Sequence, residues 1–256
     1  MTRTIYYSDE INDEFSGIHR KAIPINEKYK YERSALWRIF SFILYNLIMK
    51  PIAYVYMKLR FSFKIENRKV LKKYKKGGYF LYANHTNVPA DGFMPTLVCF
   101  PKRVYVLVSS ENLSLKGTRN FMAMIGAVPI PNTLHGMKGF KSYIHKLISK
   151  GSVVMIYPEA HIWPYYTKIR PFGSVSFTYP VLENAPIYTF TVTYHKGWIR
   201  TKIIAYVDGP FYSNSSLKTK ESIEDLRNQA YSAMQKRSEL STYEKINYIK
   251  KESELE

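Results

Sequence analysis

The chain runs to 256 residues and carries a net charge of +18, from 38 Lys plus Arg against 20 Asp plus Glu, with 46% of its residues apolar. That length and apolar content suit one substantial domain with a real core and exclude wholesale disorder. A single cysteine, Cys99, excludes a disulfide framework and fits a reducing compartment.

The charge is unevenly placed. Residues 1–30 carry five basic and five acidic side chains, residues 217–256 carry eight of each, and residues 31–216 hold 25 basic against seven acidic. A basic middle between neutral ends predicts an anionic partner: a membrane surface, an acidic ligand or nucleic acid.

Residues 1–33 show no sustained period and no secretory-type apolar core, so a loosely ordered N-terminal segment is expected. Residues 34–60 contain the most apolar stretch, interrupted by Lys50-Pro51. Each half is too short to span a bilayer of roughly 20 apolar residues' thickness. A kinked interfacial or re-entrant helix pair on the cytoplasmic leaflet is the favoured reading, against a buried core helix or a true span. Residues 58–76 add nine basic side chains and one acid, Glu66, beside it, as polybasic segments that adsorb to anionic lipid do.

Residues 61–66 alternate like a strand. Short apolar runs at 79–83, 104–108, 128–130, 153–157, 187–194 and 202–207 read as further strands. Helical periodicity marks 113–124, 137–149 and 217–235, and the charged residues 236–256 read as a tail prone to fraying. Strands alternating with helices over 61–235 predict an α/β domain: a mixed, mostly parallel central sheet flanked by helices, preceded by the membrane-associated helical segment.

Two constellations carry chemistry. Asn84-His85 follows the apolar run YFLYA directly, and Asp91 lies shortly after, at a strand's carboxyl end where open α/β sheets bind ligands. His85 can serve as a general base if Asp91 accepts a hydrogen bond from its other ring nitrogen. The spacing alone equally suits a loop histidine satisfied locally. Glu159, in YPEAH, follows a second apolar strand and is one of the seven acids of the basic region, as Asp91 is. An acid at the end of a buried strand needs a partner, and two such acids suggest one shared site. His19, His135, His145 and His195 lack acidic neighbours at useful spacing and are read as surface or structural. Met122, Met124 and Met137 are read as core packing and Cys99 as a small buried hydrophobe. Metal-ligand spacing, a nucleophile elbow and a phosphate loop are all absent.

YANHTNVPAD together with MIYPEAHIWP resembles the glycerolipid acyltransferase superfamily, with its Asn-His-x4-Asp and Pro-Glu-Gly-Thr-Arg blocks. The resemblance continues through GAVPI at 126–130, API at 185–187 and IIAYVDGP at 203–210, covering residues 36–235. It implies His85 as base and Asp91 as its orienter, with Asn84, Glu159, His161 and Arg170 on the acceptor side. It implies no bound cofactor or metal. The co-substrate would be an acyl-CoA or acyl-carrier-protein thioester, and the acceptor a lipid hydroxyl at an anionic membrane surface, most simply a lysophospholipid such as lysophosphatidic acid. The chain departs from the pattern in four places. Five residues separate His85 from Asp91, Asn132 stands where the second block ends in Arg, Ala160-His161-Ile162 replaces Gly-Thr-Arg, and Gly173-Ser174 replaces a basic pair. Arg170, Lys168, Lys138, Lys141 and His161 are the candidates to bind acceptor phosphate instead. Two rival readings are a catalytically lapsed lipid binder and a nucleic-acid-binding protein; the second has charge in its favour but no recognisable motif.

Overall fold

The two most apolar short runs, YFLYA and VVMI, become adjacent, fully buried parallel strands in the computed structural model, which describes residues 3–17, 21–74, 77–114 and 117–251. In chain order the elements are β1 (Arg3–Tyr7), α1 (Ala35–Ile43), a π-helical stretch (Leu44–Met49), α2 (Lys50–Phe61), β2 (Lys64–Glu66), α3 (Lys69–Lys73), β3 (Tyr79–Ala83), α4 (Ala90–Val98) and β4 (Val104–Val108). There follow α5 (Thr118–Met124), β5 (Ala127–Pro129), α6 (Gly136–Ser149), β6 (Val153–Ile156), α7 (Thr178–Leu182), β7 (Ile187–Lys196), β8 (Thr201–Phe211), α8 (Thr219–Ser238) and β9 (Ile246–Lys250).

Seven strands form the main sheet in the order β2-β8-β7-β3-β6-β4-β5. The five from β7 to β5 run parallel, β8 is antiparallel to β7, and β2 is parallel to β8. The expected mixed, mostly parallel sheet is therefore present. Alternation along β3 sends Leu81 to one face with Met57 of α2 and Met94 of α4, and Phe80 and Tyr82 to the other with Phe140 of α6 and Leu226 of α8. Both faces are covered, which is why the central strands read as unbroken apolar runs. Gly78 enters β3 hard against the backbone of Ile148 and Ser152, where any Cβ would collide.

Three expectations need correcting. The N-terminal segment and the charged tail are not both loose: β1 pairs with β9 in parallel, Arg3 opposite Ile246 through Tyr7 opposite Lys250. The pair is held by tertiary packing, Tyr7 and Tyr248 closing on buried Trp163. Residues 252–256, 75–76 and His19 lie outside the described residues. Lys50-Pro51 does not end the apolar helix. Pro51 sits in the first turn of α2, the preceding turn widens to π geometry, and the helix continues from Ala35 to Phe61. Nor is it a core helix, since only 17% of its most apolar window is buried and Leu36, Ile39, Phe42, Leu47 and Leu59 are exposed. Finally, the helix expected over 113–124 is shorter, a 3₁₀ turn at Ser110–Leu113 and then α5.

Gly78→Ala is expected to cost about 1–3 kcal/mol, since the clash is with backbone that cannot rotate away; a lower midpoint in urea unfolding would register it.

Candidate active site

Parallel pairing of β3 with β6, Tyr82 opposite Ile156, delivers the two motif segments side by side at the carboxyl end of the sheet. Past β3 the chain turns at Asn87 and starts α4 at Ala90, with Asp91 in its first turn. The turn closes reciprocally: the Asp91 N–H donates to the Asn87 carbonyl at 2.7 Å, and the Asn87 N–H donates to Asp91 Oδ2 at 2.8 Å. This turn absorbs the extra residue between His85 and Asp91.

His85 Nδ1 lies 2.7 Å from Asp91 Oδ2. A carboxylate only accepts, so Nδ1 is the donor, and in the neutral ring Nε2 is then the accepting nitrogen. Nε2 has no hydrogen-bond partner among the described residues. Tyr157, the residue after β6, fixes the ring from the other side. Its phenol stacks on the imidazole at 4.2 Å and 17°, and its hydroxyl donates to the Asp91 carbonyl at 2.5 Å. Burial pushes the Tyr157 hydroxyl well above its ordinary range, so it stays a donor. Asp91 is 3% exposed and His85 18%, so a buried carboxylate stands behind a partly exposed ring.

Glu159 does not face this site. Its two carboxylate oxygens accept backbone N–H groups 3.0 Å away on each side, Oε2 from His85 and Oε1 from Arg170. The Arg170 guanidinium lies 3.7 Å from Oε2 and donates to the carbonyls of Glu159, His161 and Glu10. It also lies over the Trp163 ring at 5.0 Å. Burial pushes the Glu159 carboxyl up, opposed by Arg170 and the two N–H donors, and it pulls the Arg170 guanidinium down, opposed by Glu159.

The residues expected on the acceptor side therefore separate from the dyad. Arg170 is 1% exposed; its terminal nitrogens donate to backbone carbonyls and its Nε is buried without a partner, so as placed it cannot hold an acceptor phosphate. Asn84 is buried and ties β3 to β7 through both of its amide atoms, 3.1 Å and 2.8 Å from the Val192 carbonyl and N–H. His161 bonds Glu14 of the N-terminal segment at 3.1 Å. Asn132 likewise holds that segment, accepting from the Ile25 N–H and donating to the Ile23 carbonyl, each at 2.9 Å. Lys138, Lys141 and Lys168 are exposed and do not line the cavity beside His85.

That cavity, about 530 Å³, is what sequence reasoning missed. His85 and Asp91 stand at one end. Val104, Val106 and Val108 line it along β4, a run of about 13 Å at a parallel strand's rise of ~3.3 Å per residue. Phe93, Phe121, Ile125 and Ile130 complete an apolar wall, and Met122, expected in the core, belongs to it too. At the other end Lys50 is the only Lys or Arg among the lining residues; its ammonium donates to Asn46 Oδ1 at 2.8 Å and lies 5.0 Å from the Tyr45 ring centroid. Size and lining suit an alkyl chain. Cys99 is buried, its thiol pushed up to about 12 by desolvation, and offers no nucleophile.

The family described as Acyltransferase matches residues 62–193, a span that includes both motif segments. The crystal structure of a 1-acyl-sn-glycerophosphate (LPA) acyltransferase, PlsC, from Thermotoga maritima shares the fold: TM-score 0.55 over 81% of this chain and 89% of that one, at 12% identity. No curated protein sequence matches the chain.

Arg170→Ala is expected to destabilise by about 3–5 kcal/mol, the cost of leaving a buried Glu159 unpaired. Thermal unfolding should drop sharply, while the acceptor KM of the folded fraction stays at the parent value.

Proposed function

The chain belongs to the acyltransferase family, and from that premise we propose that it moves a fatty acyl group from a thioester to a hydroxyl of a glycerolipid-type acceptor, with His85 as general base. The observation that carries this is the Nδ1–Asp91 bond, which leaves Nε2 as a free acceptor beside an apolar cavity.

In this mechanism Nε2 takes the proton of the acceptor hydroxyl as its oxygen attacks the thioester carbonyl. Asp91 stabilises the imidazolium that forms. The tetrahedral intermediate collapses by breaking the C–S bond, and the departing thiolate takes the proton from Nε2. The products are an ester and a free thiol, and the acceptor oxygen is itself the nucleophile. The acyl chain would occupy the cavity along β4. Positioned general-base catalysis contributes typically about 10²–10⁴-fold, and the remainder falls to alignment of the two substrates.

The donor would be an acyl-CoA or an acyl carrier protein, both suited to a basic surface. Lysophosphatidic acid heads the acceptors to test, although Lys50 is the only permanent cation lining the cavity among the described residues. The exposed apolar face of α1 and α2 supports docking at the cytoplasmic face of an anionic membrane, where Lys58 and Arg60 in the last turn of α2 reach lipid phosphates.

Two measurements test this. Thiol release from acyl-CoA and acyl-carrier-protein donors, with phosphorylated and unphosphorylated lysolipids as acceptors, should require His85. His85→Ala and Asp91→Asn should each lower kcat by about 10²-fold or more. Absence of turnover by the folded parent across the panel would favour a lapsed lipid binder. Separately, Ile39→Glu with Leu47→Glu should weaken vesicle binding severalfold and leave turnover in detergent intact, since both are exposed and neither lines the cavity.

A further inference from the structure

A second concavity, about 250 Å³, lies beneath α1 and across the sheet edge from His85. Five cationic side chains line it: Arg33, Arg38, Arg103, Lys146 and Lys150. Glu32 is the only carboxylate there among the described residues, and it is 65% exposed and already paired with Lys146 at 2.5 Å. Arg103 forms one wall. Its Nη2 donates to Ser41 Oγ at 2.7 Å and to the Met124 carbonyl at 2.8 Å, while its Nε is buried with no hydrogen-bond partner. Arg33 is held over the rings of Tyr29 and Trp37, at 5.8 and 5.7 Å. So many cations around one cleft, with so little opposing charge, repel one another until an anion enters.

The cleft is separate from the catalytic cavity. Tyr105 lines the cleft, while its neighbours Val104 and Val106 on β4 line the cavity, and successive strand residues point to opposite faces. An anion held here is therefore not the acceptor under attack at His85. The cleft is also tied to the lipid-facing helix. Trp37 and Ser41 of α1 line it, while Leu36, Ile39, Phe40 and Ile43 of the same helix are exposed.

We propose that this cleft seats the phosphate of an anionic phospholipid headgroup, fixing how the protein sits on the bilayer while catalysis proceeds on the other face of the sheet. A membrane phosphodiester fits because Arg33 and Arg38 lie on, or just before, the same helix whose apolar face enters lipid, with Arg103, Lys146 and Lys150 closing the cleft beneath it. The inference rests on the reading of α1 and α2 as lipid-facing and is independent of the acyl-transfer chemistry.

The test compares binding of the full chain to neutral phosphatidylcholine vesicles and to the same vesicles containing phosphatidylglycerol. Arg38→Gln with Lys150→Gln removes two exposed cations from the cleft, Lys64→Gln with Lys69→Gln removes two from outside it, and Ala123→Phe fills the cleft without changing charge. The cleft pair and the plug should each abolish most of the preference for anionic vesicles, roughly fivefold per lost cation, and the outside pair should leave most of it. Equal losses from the two charge pairs, or an inert plug, would overturn the proposal in favour of diffuse attraction. Titration with sn-glycerol 3-phosphate separates the sources: saturable binding that Ala123→Phe removes, with vesicle affinity unchanged in every variant, identifies a soluble phosphate ligand and overturns the lipid assignment. Failure of the parent to bind either vesicle overturns the lipid-facing reading and this proposal together. Binding that is unaltered in all variants overturns the headgroup seat alone.

Discussion

One carboxylate organises the region around the dyad. Glu159 accepts a backbone N–H from the His85 loop with one oxygen and from the Arg170 segment with the other. Such a group is costly to bury unless each lone pair is met and its charge is balanced, and the fold meets that demand on every side. Arg170 supplies the counter-charge, Trp163 covers the guanidinium, and the β1–β9 pair closes over Trp163 through Tyr7 and Tyr248. Further bonds lock the two segments together, the Trp163 and Tyr165 N–H groups donating to the His85 and Thr86 carbonyls. His85 is held from behind by its backbone and from the side by Tyr157, so its ring is oriented before any substrate arrives.

Two positions at which the chain departs from the family's blocks, Asn132 and His161, share a role with Arg170, the residue expected to compensate for them. Asn132, His161 and Arg170 all bond the N-terminal segment, at Ile23 and Ile25, at Glu14 and at Glu10 respectively. The polar capacity that the resemblance assigns to an acceptor phosphate is spent here on holding Glu10, Glu14, Ile23 and Ile25 near the carboxyl ends of β5 and β6. Ala160, where the resemblance has Gly, takes the left-handed conformation with φ of 61°, which glycine would adopt at less cost.

The large positive charge divides between surfaces with different roles. The cavity beside His85 is nearly free of it, Lys50 being the one Lys or Arg among its described lining residues. The excess gathers beneath α1 and along the segment after α2, on either side of an exposed apolar helix. An apolar chain can enter the cavity at little electrostatic cost, while the outer surface is suited to an anionic interface.

The sequence by itself determined the strands of the main sheet and the α/β class, and placed His85 and Asp91 at a strand's carboxyl end, while their pairing was left open by the spacing. Buried parallel strands must be continuously apolar, and polar residues placed at their ends must face either a site or a partner. Local pattern could not tell those two fates apart. Asn84, Glu159 and Arg170 read as site residues because polar groups beside a catalytic motif look alike whether they meet substrate or backbone, and only the fold reveals that their partners are Val192, His85 and Glu10. The β1–β9 pair, the cavity along β4 and the cleft beneath α1 were equally hidden. Each is built from residues far apart in the chain, and such contacts leave no period in the sequence. Tertiary structure alone decided which polar groups were consumed in holding the protein together and which were left free to act.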